Sequence, residues 1–236
     1  MSKDATTKNP TGAGSPQKTY LLLYNTAMAA GWATVLGRAA IHLLRGGPST
    51  TVYDAVAVPL VLFQTGAAAE VVHAMIGLVR SPVGTTLLQL LSRLLVLYGA
   101  VRIGETPARR DPAFLQMLIA WALSEVIRYT FYGANLLGKA TGWLTWLRYS
   151  AFMLLYPLGI SGEAMCLYKA MDFIRENKPW TVELPNKMNF TFSWYNGVWV
   201  LLGIYPIGSY VMYTYMLSQR RKVLGKNAAA AKAKAE

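Results

Sequence analysis

Tyr156 and Glu163 stand seven residues apart in an otherwise apolar stretch, Tyr156-Pro-Leu-Gly-Ile-Ser-Gly-Glu163. Seven residues are two helical turns, so on a helix both side chains point to one face, about 10 Å apart along the axis. A phenol and a carboxyl on one face can serve as the proton donor and acceptor of general acid–base catalysis. Pro157 removes a backbone hydrogen bond and frees the carbonyl of Met153, which can kink the helix. Gly159 and Gly162 leave the backbone bare between the two side chains, which predicts a narrow polar gap able to admit a thin chain. The competing reading is a small-residue packing face with a paired glutamate. A second turn of this kind, Tyr205-Pro206-Ile207-Gly208, has Met212 seven residues after its tyrosine and so lacks the acid. The carboxylate sets the first turn apart.

Few other ionisable groups interrupt the apolar runs: Arg38, His42, Glu70, His73, Arg93, Glu125, Arg128, Arg148 and Lys169. Each costs about 3 kcal/mol to place at the centre of a membrane helix, so each is expected to be paired or to do chemistry. Arg93 is expected to pair with Glu70 or Glu125. Glu70 and His73, three apart, share a face. No second His or Cys lies at ligand spacing from His73, so no metal site is predicted.

The elements that must carry these groups are long helices. The 236 residues are 54% hydrophobic and only 14% charged, with a mean hydropathy of +0.30. A soluble domain carries about a quarter charged residues. The apolar residues gather instead into runs of about twenty, the length that crosses a hydrocarbon core of roughly 30 Å. Six runs are predicted, at 20–44, 52–78, 83–103, 112–132, 143–171 and 192–217, giving an all-α polytopic membrane protein. They form one membrane domain over 20–217. A polar tail over 1–19, expected to be disordered and cytosolic, precedes it, and a basic cytosolic tail over 218–236 follows.

The net charge of +12 sits largely in tails and connections, which makes it a topology signal rather than a nucleic-acid footprint. With six crossings, eleven Lys and Arg fall on the side of the termini against eight opposite, favouring cytosolic termini. Lys234 and Lys232, three and five positions from the end, resemble a dilysine retrieval signal of endoplasmic reticulum membrane proteins. The single cysteine, Cys166, excludes an intrachain disulfide.

The run from Tyr156 to Glu163 resembles the signature of the very-long-chain (3R)-3-hydroxyacyl-CoA dehydratases, also called protein-tyrosine-phosphatase-like family A. Gln64-Thr65, Glu70 with His73 and Gly77, Gln89 with Ser92-Arg93, and Trp121 match as well. So do Glu125, Arg128-Tyr129, Phe131-Tyr132 and Leu147-Arg148-Tyr149, in the family's order. The resemblance implies six transmembrane helices in the endoplasmic reticulum with both termini cytosolic. It also implies loss of water from a (3R)-3-hydroxyacyl-CoA to give the trans-2-enoyl-CoA, with Tyr156 and Glu163 as the catalytic pair. A condensing enzyme and two reductases of fatty acid elongation are the implied partners. The older name does not describe this chain's chemistry. A cysteine phosphatase needs His before its Cys and Arg six after, where Cys166 has Met165 and Asp172.

That reaction needs a base for the C2 proton and an acid for the departing C3 hydroxyl. A carboxylate among apolar residues is poorly solvated and a stronger base once ionised, while a phenol is a proton donor at neutral pH. Glu163 is therefore assigned as base and Tyr156 as acid or hydroxyl-holding group, with the reverse open. The thioester carbonyl stabilises charge at C2, so no cofactor is expected. Arg128, Lys139 and Arg148, with the adjoining Tyr149, are the candidates to meet the CoA phosphates at the cytosolic mouth; for the charged three the bland reading is interfacial charge. The competing functions are a non-catalytic scaffold and a small transporter.

Overall fold

The computed structural model describes residues 15–187 and 189–232, without the side chains of 226–232. Helix α1 spans Pro16–Leu44; the Ser15 hydroxyl caps it by accepting from the Lys18 N–H at 3.3 Å, and Pro16 opens its first turn. Helices α2 (Val52–Gly66) and α3 (Ala69–Met75) follow, parted by a turn at Ala67-Ala68. Helix α4 (Val83–Val96) widens into a π-turn at Leu97–Val101. Asp111 caps helix α5 (Pro112–Leu136), its carboxylate accepting from the Ala113 N–H at 2.9 Å. Helix α6 (Gly142–Ser150) and helix α7 (Phe152–Asn177) are separated at Ala151, and helix α8 (Trp194–Lys232) ends the described chain. Among the described residues there is no strand; a single bridge joins Val182 to Phe192 in the α7–α8 connection.

Helix α5 is the centre. It packs along α1 on one side and α7 on the other, while α2 lies on α1, and α8 lies on α7 and α6. Trp32, Leu60, Phe114, Trp121, Tyr129 and Leu167 fill the space between these helices and are fully buried. Much of the outer surface is apolar as well, with Leu62, Leu88, Leu154, Ile207 and Tyr210 exposed, as expected where the solvent is lipid.

Among the described residues, five helical stretches are long and apolar enough to cross a membrane: Pro16–Leu44, Ser49–Met75, Val83–Val101, Gly142–Asn177 and Trp194–Gly225. The chain is a helical, multi-pass membrane protein. Helix α5 is not among the five. Its 25 residues reach about 37 Å, but Gln116, Glu125 and Arg128 dilute its apolar character. Its polar groups turn to neighbouring helices, which is why it occupies the middle.

The helices depart from the predicted runs. The first helix starts at Pro16 rather than residue 20, because Ser15 and Pro16 form a start signal inside the polar stretch. The second run is broken into α2 and α3. The fifth is broken at Ala151, while Pro157 is carried inside an unbroken α7. The sixth does not stop at residue 217; α8 continues to Lys232 because Ala, Lys, Arg and Gln are strong helix formers. Residues 1–14 and Lys234 of the dilysine pattern lie outside the described residues, as does the side chain of Lys232.

Candidate active site

Glu163 lies in the middle of α7, 7% exposed, and both its carboxylate oxygens are held. The Trp121 indole N–H, from α5, donates to Oε1 at 2.7 Å. The Tyr205 hydroxyl, from α8, donates to Oε2 at 3.0 Å. Tyr156, two turns earlier on α7, is half-buried against α8. Its ring tilts against Tyr213 with centroids 6.2 Å apart, and its phenol lies beside Ser209. Both members of the predicted pair therefore face one seam between α7 and α8. These helices run antiparallel: Glu163 meets Tyr205, Tyr156 meets Tyr213, and Ser150 accepts from Arg220 at 3.1 Å.

The two glycines do something other than expected. A Cβ on Gly162 would stand 2.9 Å from both the Cβ and backbone N of Met117 and 3.0 Å from the Ala113 carbonyl. A Cβ on Gly159 would touch Ala120 at 3.6 Å. They let α7 press onto α5, which brings Trp121 within reach of Glu163, and they do not line an open gap. The packing-face reading of these glycines is the correct one. A cavity of about 510 Å³ lies elsewhere, between α1 and α3 around Tyr20, Val72 and His73.

Next to this pair runs a balanced ion-pair network. Arg128 reaches Glu70 with two bonds, of 2.6 and 2.8 Å, and Glu125 with its Nε at 2.7 Å. Arg93 pairs with Glu125, as one of the two predicted partnerships required, and its guanidinium lies 5.2 Å from the Trp121 ring centre. The Tyr129 hydroxyl donates to Glu70. Two carboxylates and two guanidiniums cancel, which offsets the cost of burying each alone. His73 shares a 2.8 Å hydrogen bond with Tyr20 and lies edge-on to Tyr24, whose ring packs edge-on to Tyr129 of this network. No cluster of His, Cys, Asp and Glu suited to a metal is found among the described residues.

The candidate phosphate ligands fare unequally. Arg128 is held by Glu70 and Glu125, and its side chain is 15% exposed. Arg148 lies between the Tyr132 and Tyr149 rings, at 5.7 and 5.8 Å. Tyr149 itself packs edge-on to Phe131. Lys139, after the left-handed turn at Gly138, is exposed and makes no ion pair among the described residues. Arg148, Tyr149 and Lys139 share the end of the bundle where α5 stops and α6 starts. Cys166 is fully buried, one turn beyond Glu163.

Two residues were missed. In the sequence Trp121 stands out only through the family resemblance, and Tyr205 has no acid on its own turn. The available signal was the repeated Tyr-Pro-X-Gly turn in two consecutive helices. Folding the helices back on each other brings the second tyrosine to the first turn's carboxylate.

The profile of the family described as Protein tyrosine phosphatase-like protein, PTPLA, matches residues 64–226. Very-long-chain (3R)-3-hydroxyacyl-CoA dehydratase PASTICCINO 2 of Arabidopsis thaliana is 42% identical over 212 residues, covering 89% of this chain and 95% of that protein. Dehydratase hpo-8 of Caenorhabditis elegans is 39% identical over 212 residues, covering 88% and 95%. Very-long-chain (3R)-3-hydroxyacyl-CoA dehydratase 2 of Homo sapiens is 36% identical over 206 residues, covering 87% and 80%. No solved structure matches. With the profile spanning most of the membrane helices and these relatives matched nearly end to end, the chain belongs to the PTPLA family.

Proposed function

We propose that this protein removes water from (3R)-3-hydroxyacyl-CoA to give trans-2-enoyl-CoA, the third step of very-long-chain fatty acid elongation. The observation that carries this reading is the seam itself. A half-buried phenol and a buried carboxylate on one helix face the same neighbouring helix, in a family whose curated relatives are named as dehydratases of this substrate. Glu163 takes the C2 proton and Tyr156 delivers a proton to, or holds, the C3 hydroxyl as it leaves. The two groups sit about 10 Å apart along α7, so the hydroxyl-bearing carbon lies between them. The acyl chain lies among the helices at the lipid face, where each methylene withdrawn from water contributes about 0.8 kcal/mol.

The CoA phosphates remain in water at the end of the bundle that carries Lys139 and Arg148, with Tyr149 beside them. Helix α5 supplies a sixth crossing, its charges neutralised inside the bundle, and both termini are cytosolic. The protein resides in the endoplasmic reticulum beside the condensing enzyme and reductases that make and use its substrate and product. Purified wild-type protein, Tyr156→Phe and Glu163→Gln, assayed on a long-chain 3-hydroxyacyl-CoA in vesicles, test the reading. It requires loss of turnover in both variants. A scaffold or transporter would leave no turnover to lose in the wild type.

A further inference from the structure

We infer that Tyr205 and Trp121 are positioning residues for catalysis: one from α8 and one from α5, they clamp the two oxygens of Glu163 and set the plane in which the carboxylate meets substrate. This rests on the reading of Glu163 as the group that acts at C2. A glutamate side chain has three rotatable bonds, and an unclamped carboxylate samples many orientations, only some of them aimed at a C–H bond. Here one oxygen is held at 2.7 Å by an indole and the other at 3.0 Å by a phenol.

The two clamps differ in kind. Trp121 is 1% exposed, lies in the packed core and is flanked by the Arg93 guanidinium, so its N–H is a fixed reference point. Tyr205 arrives on α8, which is less buried and joins the bundle through α7 and α6. Each carboxylate oxygen has two lone-pair directions, so a single donor on each leaves capacity for the substrate proton. Tyr205 is therefore more than a packing tyrosine of the last helix. It ties that helix to the reacting group, and Trp121 ties the central helix to the same group.

The experiment is steady-state kinetics on full-length protein in vesicles, with Tyr205→Phe, Trp121→Phe, Glu163→Gln and the exposed-tyrosine control Tyr210→Phe. Tyr205→Phe removes one hydroxyl and keeps the ring. A hydrogen bond to a charged group corresponds to roughly a 10- to 100-fold effect, so kcat should fall by that factor with KM within twofold of wild type. Trp121→Phe should behave likewise, and Tyr210→Phe should match wild type. A wild-type kcat in Tyr205→Phe overturns the inference, as does a loss in which KM rises in step and the thermal unfolding midpoint drops. If Glu163→Gln is inactive while Tyr205→Phe is unimpaired, the clamp fails and the catalytic reading stands. If Glu163→Gln keeps its turnover, both fall.

Discussion

Gly162 and Met117 meet backbone to backbone: a Cβ on the glycine would lie 2.9 Å from the methionine nitrogen. This contact sets the separation of α5 and α7, and through it the distance between Trp121 and Glu163. In an open helix, Gly→Ala gains up to about 1 kcal/mol from propensity. At Gly162 the sign should reverse, because overpacking costs typically about 1–3 kcal/mol. Thermal unfolding in detergent should show Gly162→Ala destabilised and less active. Gly203→Ala, with nothing within 4 Å of the added methyl, should be neutral or slightly stabilised. Equal behaviour of the two variants would remove the packing argument.

The Glu70–Arg128–Glu125–Arg93 network makes a prediction about charge balance. Arg128→Met leaves the buried Glu125 and the half-buried Glu70 facing one guanidinium, and breaking a fully buried pair in this way costs about 3–5 kcal/mol, an upper bound here. Adding Glu70→Gln restores neutrality with Arg93 and Glu125 still paired. The double variant should therefore unfold at a higher temperature than Arg128→Met alone. If it is the less stable of the two, the network is not held together by charge.

The sixth crossing is open to a labelling test. Glu105 precedes α5 with its side chain 76% exposed, and Lys139 follows α5 and is also exposed. Cys166 is buried and silent to a membrane-impermeant maleimide. In sealed oriented vesicles, Glu105→Cys and Lys139→Cys should label from opposite sides. Labelling from one side would mean that α5 does not cross.

Lys139→Ala should raise KM for the CoA substrate about 2- to 5-fold, the size expected of an exposed ion pair, with kcat unchanged. The difference from wild type should shrink as salt is added, because exposed charges are screened. A KM that ignores both the substitution and the salt would exclude Lys139 from phosphate contact. Arg128 is not expected to contribute in this way, since its guanidinium is already used.

The charges inside helices show how far local reading reaches. That Arg93 needs a carboxylate follows from the cost of an unpaired charge in an apolar run, and two partners satisfied that rule. The choice of Glu125 over Glu70 depends on α4 reaching across to α5 while Arg128 takes Glu70, and no spacing within one helix encodes that arrangement. Arg128 shows both cases: Glu125 lies three residues away on its own helix, a spacing legible in the sequence, while Glu70 lies 58 residues away and is brought to it only by folding.

The chain's own order of residues determined what lies within a helix: the long apolar runs, the start at Ser15 and Pro16, and Tyr156 and Glu163 on one face. These follow from hydropathy and a 3.6-residue period, which are properties of neighbours along the chain. Only the tertiary structure decided what lies between helices. It pressed the bare side of Gly159 and Gly162 against α5, and it brought Tyr205 and Trp121 to the two oxygens of Glu163. Helix-to-helix register is set by many side chains packing at once, and no single segment contains that information.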